Sequence, residues 1–327
     1  MPIDFVNIIR FAMQLSLAVA GAASLWALVF YIKSRIQIDA GDAFRKLSYS
    51  TSVLFFIAII GFFIARLLAA LYVFPAEVIA HEGIVVKPDF SELRSGFMLN
   101  HSFAIVLLVV AAVHMVFAFR RKLLEKYLGV ILASEFVLAS IIILFTASTG
   151  ALDKTQIFHF FHNWHSILTL GTVICVDFLY MFVQKKPELK TALYRTFPIM
   201  SAAIWVGLAF DFLSVSLIFD EAVKSGAQFY FNQTVIGILI VNGALLSGKI
   251  NDILLKSAED RHGYVIPTRF KYIFGISGSI SIVSWLTITF LDFFIVPLPY
   301  YGLFAVYLLV ILLAFGTQNF IESRTSA

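Results

Sequence analysis

Charge is scarce in this sequence: only 13% of its 327 residues are Asp, Glu, Lys or Arg, 60% are hydrophobic, and the mean hydropathy is +0.92. Soluble domains carry roughly 25% charged residues, so an ordinary water-soluble fold is excluded and a polytopic membrane protein is expected. Cysteine is nearly absent as well. The single Cys175 rules out an intramolecular disulfide and says nothing about redox compartment. The sequence also has no P-loop, GxGxxG, GxSxG, HExxH or CxxC pattern. Its longest linkers, around 75–96 and 251–269, are too short to fold as a catalytic domain. Hydrolytic and nucleotide-driven enzymes are therefore disfavoured, and an intramembrane redox reaction is the one enzymatic class left open.

Long apolar runs fill the rest. Hydropathy over a window of about 19 residues gives nine spans, at roughly 6–32, 49–74, 97–119, 127–149, 157–183, 196–219, 229–250, 270–292 and 299–320. The first follows an acidic residue where a cleavable leader would have a basic segment, so it reads as a membrane span. The fold class expected is all-α, a membrane helix bundle in contact with the lipid bilayer.

The linkers alternate in charge. Lys33, Arg35, Arg45 and Lys46, then Arg120, Arg121, Lys122 and Lys126, then Lys185, Lys186, Lys190 and Arg195, then Lys249, Lys256, Arg261, Arg269 and Lys271 occupy every second linker, and Arg324 lies near the C-terminus. The intervening linkers carry Glu77, Glu82, Asp89, Glu92, Asp153, Asp220 and Glu221. By the positive-inside rule the N-terminus faces out and the C-terminus faces the cytoplasm, as nine spans require, in a bacterial-type inner membrane. The net charge of +4 is explained by these linkers and implies no nucleic-acid partner.

An internal repeat follows from FMLNHSFAIVLLVV (97–110) and FYFNQTVIGILIVN (229–242), which align without gaps at Phe97/Phe229, Asn100/Asn232, Leu107/Leu239 and Val109/Val241. Gly21 of the first span pairs with Gly171 of the fifth. The reading is a parallel duplication of a four-helix unit, 1–150 and 151–295, followed by one extra helix and tail at 296–327. A chance likeness between apolar helices is the alternative.

WHSILTLG, a helix start with a histidine and a glycine six residues on, resembles the first helix of the CopD-like group of four-helix bacterial membrane modules. The asparagine-marked FMLNHS and FYFNQT are similar to another part of that pattern. The resemblance implies copper handling or haem b bound between helices. It breaks in the N-terminal copy, where Leu15 stands opposite His165.

Three of the seven histidines, His159, His162 and His165, crowd the start of the fifth span, and His101 opens the third. The alternating topology puts all four near the outer interface. At about 100° per residue, positions 159, 162 and 165 are each about 60° apart, so neighbours can face one pocket but all three cannot. A bis-imidazole haem needs one histidine from each of two facing helices, which His101 with His162 or His165 would supply, and Arg66 would suit a propionate. Several imidazoles (His101, His159, His162, His165) with Glu82, Asp89 and Asp153 nearby would instead suit a copper or zinc site at a permease mouth. Snorkelling interfacial histidines are the bland alternative.

Charges within spans form the second set, each costing at least about 2.5–3.5 kcal/mol unless paired or hydrated. Arg66 and Asp211 hold nearly equivalent repeat positions and are expected to pair; His114, Glu135 and Asp177 lie deeper. They suit a proton or cation relay, or salt bridges that fix helix packing. Three functions stay open: a haem b protein for electron transfer, with quinone or other membrane subunits as partners; a copper or other cation permease; and a cofactor-free structural subunit. A reporter active only in the cytoplasm should work when fused after Arg324 or within 120–126, and be silent when inserted at 84–88; activity at both places would overturn the topology.

Overall fold

The computed structural model describes residues 3–73, 90–146, 154–183, 186–218, 226–259, 268–291 and 294–325. They form eleven α-helices: α1 (Ile3–Ile36), α2 (Gly41–Leu68), α3 (Phe90–Phe119), α4 (Arg121–Thr146), α5 (Lys154–Val183), α6 (Pro187–Tyr194), α7 (Phe197–Ile218), α8 (Ala227–Leu245), α9 (Asn251–Glu259), α10 (Thr268–Leu291) and α11 (Tyr300–Thr325). No strand occurs among the described residues. Nine segments among them are long and apolar enough to cross a bilayer: Asn7–Ile36, Gly41–Leu71, His101–Phe119, Leu123–Leu144, Trp164–Val183, Glu188–Phe210, Ala227–Lys256, Tyr272–Leu291 and Tyr300–Phe320. Each falls on one of the nine spans expected from hydropathy. The protein is an all-α, multi-pass integral membrane protein.

Helices prevail because a spanning chain must satisfy its backbone N–H and C=O groups internally. Two stretches widen into single looser turns, Ala69–Val73 after α2 and Leu246–Ile250 between α8 and α9. The chain divides into two compact units, Met1–Cys175 and Val176–Ala327. The division falls inside α5, so the helix that sequence places at the head of a second repeat starts within the first unit.

In the first unit α1 is the axis. Its middle is small, with Ala18, Ala20, Gly21, Ala22 and Ala23 buried, which lets three neighbours approach its backbone. The nearest is α5: a Cβ placed on Gly171 would stand 2.0 Å from the Ala18 carbonyl oxygen. One residue on, Trp26 Nε1 donates to Thr172 Oγ1 at 3.1 Å. α2 is tied to α1 where Ser48 Oγ donates to the Ala27 carbonyl at 2.8 Å. α4 meets α1 through a buried cluster of Ala27, Leu124, Leu128 and Leu132, with Phe117 of α3 packed on it.

The second unit holds a separate core in which α8 (Phe231, Val235), α10 (Val283, Leu291) and α11 (Leu303, Tyr307, Ile311) pack together. The last helix is thus part of a core. Ser284 and Tyr307 join hydroxyls at 2.7 Å, and Asn242 Nδ2 donates to the Ser277 carbonyl at 2.8 Å, both inside this unit. Overpacking against side chains costs ~1–3 kcal/mol, and Gly171→Ala drives a methyl into backbone, so it should cost more than about 3 kcal/mol. Gly237→Ala, with nothing within 4 Å of the new methyl, should be neutral or slightly stabilising. Thermal unfolding of the two variants in detergent checks the pair, and equal Tm values would refute the close packing.

Candidate functional site

α3 and α4 are antiparallel neighbours because only Arg120 separates them. That hairpin brings together two ionisable groups from the middle of apolar helices. His114 Nδ1 lies 2.8 Å from Glu135 Oε1, and the two residues are 2% and 0% exposed. The side chains reach each other because Cβ atoms tilt towards helix N-termini, so on antiparallel helices one leans to meet the other. Phe56 of α2 covers the imidazole at a ring-centroid distance of 5.0 Å. Leu124, Leu128, Leu132 and Phe117 fill the space towards the Arg120 turn, on the side of the basic linkers.

A 2.8 Å separation requires a proton between the two atoms. With two protons to share, the pair is neutral, as imidazolium with carboxylate or as imidazole with carboxylic acid. With one, neutral imidazole donates to carboxylate and the pair carries a single negative charge. The hydrogen bond survives in all these states, so the pair can take up and release one proton without coming apart. Glu135 Oε2 is buried and has no hydrogen-bond partner among the described residues, so one acceptor of the pair is left unused.

A second contact lies at the opposite end from the basic linkers. Arg66 of α2, 5% exposed, places Nη2 3.3 Å from Nδ1 of the exposed His101 at the start of the α3 span. Its guanidinium also stands over the Phe62 ring at 5.9 Å. Arginine can only donate, so His101 Nδ1 accepts and the ring carries its proton on Nε2. A neutral histidine that ligates iron through Nε2 needs the reverse tautomer, with Nδ1 donating to a second group. In this arrangement His101 suits an acceptor or anion-side role better than iron ligation.

His162 and His165 are half-buried on α5 in the first unit, and the Trp164 and His165 rings meet edge-on at 5.1 Å. Asp177 is half-buried in the part of α5 that belongs to the second unit, and it forms no ion pair among the described residues. Asp211 lies on α7, but its side chain is outside the described residues, and so are those of His159, Glu82, Asp89 and Asp153. The Arg66–Asp211 pair and the mixed histidine–carboxylate metal site therefore fall outside what is described. Among the described residues no group of three or more His, Cys, Asp or Glu converges as a metal-ligand set.

Sequence reasoning singled out His114 and Glu135 as buried charges without pairing them with each other. The available signal was the one-residue turn at Arg120, which makes α3 and α4 a hairpin. Removing one member of a buried pair strands the other, so His114→Ala or Glu135→Ala should each cost about 3–5 kcal/mol of stability, with the double variant costing less than the sum. A double-mutant cycle by denaturant unfolding in detergent checks this; strictly additive losses would mean that the two groups do not interact. No family model matches the chain, and no curated protein or solved structure matches it either, so the chemistry of these residues is what bears on function.

Proposed function

We propose that this membrane protein moves protons, or a small cation exchanged for them, across its bilayer, with His114 and Glu135 as the ionisable site. The observation that carries the reading is the buried 2.8 Å contact between two groups that can gain and lose one proton while staying bonded. Ionisable residues within a span are costly, and water-filled or proton-relaying paths are where they are commonly kept. The unpartnered Glu135 Oε2 supplies an acceptor at which a proton can join the pair. Arg66 beside His101 adds a cationic group at the end opposite the basic linkers, where it bears on which ions approach.

The histidines at that same end support a second reading, haem b held for electron transfer, with copper as the variant. Arg66 is a buried cation of the kind a propionate would need, and His162 and His165 share the first unit with it. His101 fits less well as an iron ligand, for the tautomeric reason above, so this reading takes one axial ligand from α5, His162 or His165. The bound group would supply the electron chemistry, while Arg66 and the α5 histidines would hold and orient it.

One preparation separates the two. In vesicles loaded with a pH-sensitive dye and given an imposed potential, the full chain should acidify the lumen, and Glu135→Gln should slow this by at least about tenfold, equivalent to ~1.4 kcal/mol on the barrier. Glu135→Gln keeps the shape of the side chain, so loss of flux with an unchanged Tm marks function. Wild-type flux in that variant, or none in the wild type, would overturn the transport reading. The oxidised and dithionite-reduced absorption spectra of the same sample, with a metal assay, test the other: a Soret band that His162→Ala and His165→Ala together abolish supports haem.

A further inference from the structure

The second unit holds a cavity of about 120 Å³ between α7, α8, α10 and the wide turn Leu246–Ile250. Its volume is close to the ~150 Å³ of an apolar cavity that takes up benzene. Met200, Leu208, Leu239 and Leu254 make much of its wall apolar, and no charged residue lines it among the described residues. Besides Ser281, the lining polar groups divide into two sets. Ser201 and Ser247 join hydroxyls, Trp205 Nε1 donates to Ser247 Oγ at 2.8 Å, and Asn242 is bonded to Ser277. Asn251 Oδ1 and Trp285 Nε1 have no partner among the described residues, although these residues are only 8% and 2% exposed.

An unpartnered buried donor and an unpartnered buried acceptor in the wall of one cavity define what fits it. Trp285 Nε1 can only donate and Asn251 Oδ1 accepts, so the complement needs an oxygen that accepts and an O–H that donates. One hydroxyl does both. The apolar walls favour a neutral group, and with the volume they call for a ring. A lone water could bond both atoms but would face apolar wall on its remaining sides.

We infer that this cavity binds a neutral, ring-sized lipophile bearing a hydroxyl, of the phenol or quinol class, with the hydroxyl held between Trp285 and Asn251. The site lies within the membrane-spanning helices, where such molecules partition, and it is independent of the His114–Glu135 pair.

The test uses the detergent-purified full chain and two fluorinated probes of nearly equal size, 4-fluorophenol and fluorobenzene, followed by ¹⁹F line broadening against empty micelles. 4-Fluorophenol should bind about fivefold to tenfold more tightly, the value of one or two net hydrogen bonds. Trp285→Phe and Asn251→Leu should each erase most of that preference while fluorobenzene still binds, which shows that the cavity persists. No binding of 4-fluorophenol by the folded wild type would overturn the proposal. So would equal affinity for the two probes, which marks an unspecific apolar void, or a preference that survives both substitutions. The wild-type comparison decides the matter even where a variant fails to fold.

Discussion

The approach of α5 to α1 at Gly171 constrains everything else in the first unit. Lipid gives helices little hydrophobic reason to associate, so contact has to come from close packing and hydrogen bonds. At Gly171 the backbones come so near that a single methyl would meet the Ala18 carbonyl. This closeness sets the distance at which Trp26 reaches Thr172 and fixes α5 along α1. Because α1 is small through its middle, α2 and α4 can close on its other faces, and α3 is carried in with α4 by the one-residue turn at Arg120. The His114–Glu135 contact therefore stands at the end of a chain of packing that begins with a glycine two helices away.

Much of this frame was legible in sequence. Nine apolar runs of spanning length dominate any other signal, and the described helices follow them. The importance of Gly21 and Gly171 was visible too, although as a repeat pairing and not as sites of helix contact: Gly21 faces Leu168 and Ile143, while Gly171 faces Ala18. Side-chain direction was the part that sequence withheld. α3 is apolar all round between Phe103 and Phe119 apart from His114, so no amphipathic stripe says which way the imidazole points. Repeat symmetry suggested Asp211 as a partner for Arg66, a pairing that lies outside the described residues, and gave no sign of the contact that Arg66 makes with the acceptor nitrogen of His101. The wide turns at Ala69–Val73 and Leu246–Ile250 have no composition of their own, because single looser turns arise from packing more than from residue type.

The two units handle buried polarity differently. Among the described residues of the second unit, the hydrogen bonds are between uncharged groups, Asn242 with Ser277, Ser284 with Tyr307, Thr234 with Tyr300, and Trp205 with Ser247, while its half-buried Asp177 forms no ion pair. Such bonds add modestly to helix association, on the order of 0.6–2 kcal/mol each, and titrate nowhere near neutral pH. In the first, titratable groups are buried: His114 with Glu135 at the α3–α4 contact, and Arg66 beside His101. The spans lying wholly in the first unit have mean hydropathies of 2.0–2.6 and those lying wholly in the second 1.3–2.0, so the titratable contacts lie in the more apolar spans.

That contrast bears on whether the His114–Glu135 pair merely holds helices together. A serine or asparagine pair would join α3 to α4 as well, at far lower desolvation cost, and the second unit shows this chain building such pairs readily. A buried ion pair is often no more stable than an apolar replacement of the same volume. Packing therefore explains why some hydrogen bond is present and leaves unexplained why it is made from histidine and glutamate, the two types here whose protons are labile. A group that must exchange protons inside a bilayer has to be ionisable, buried beside a partner that tolerates both states, and left with an acceptor to spare. His114 supplies the partner, and the second oxygen of Glu135 supplies the acceptor. The proposed proton exchange would account for the choice of residues, whereas packing accounts only for their position.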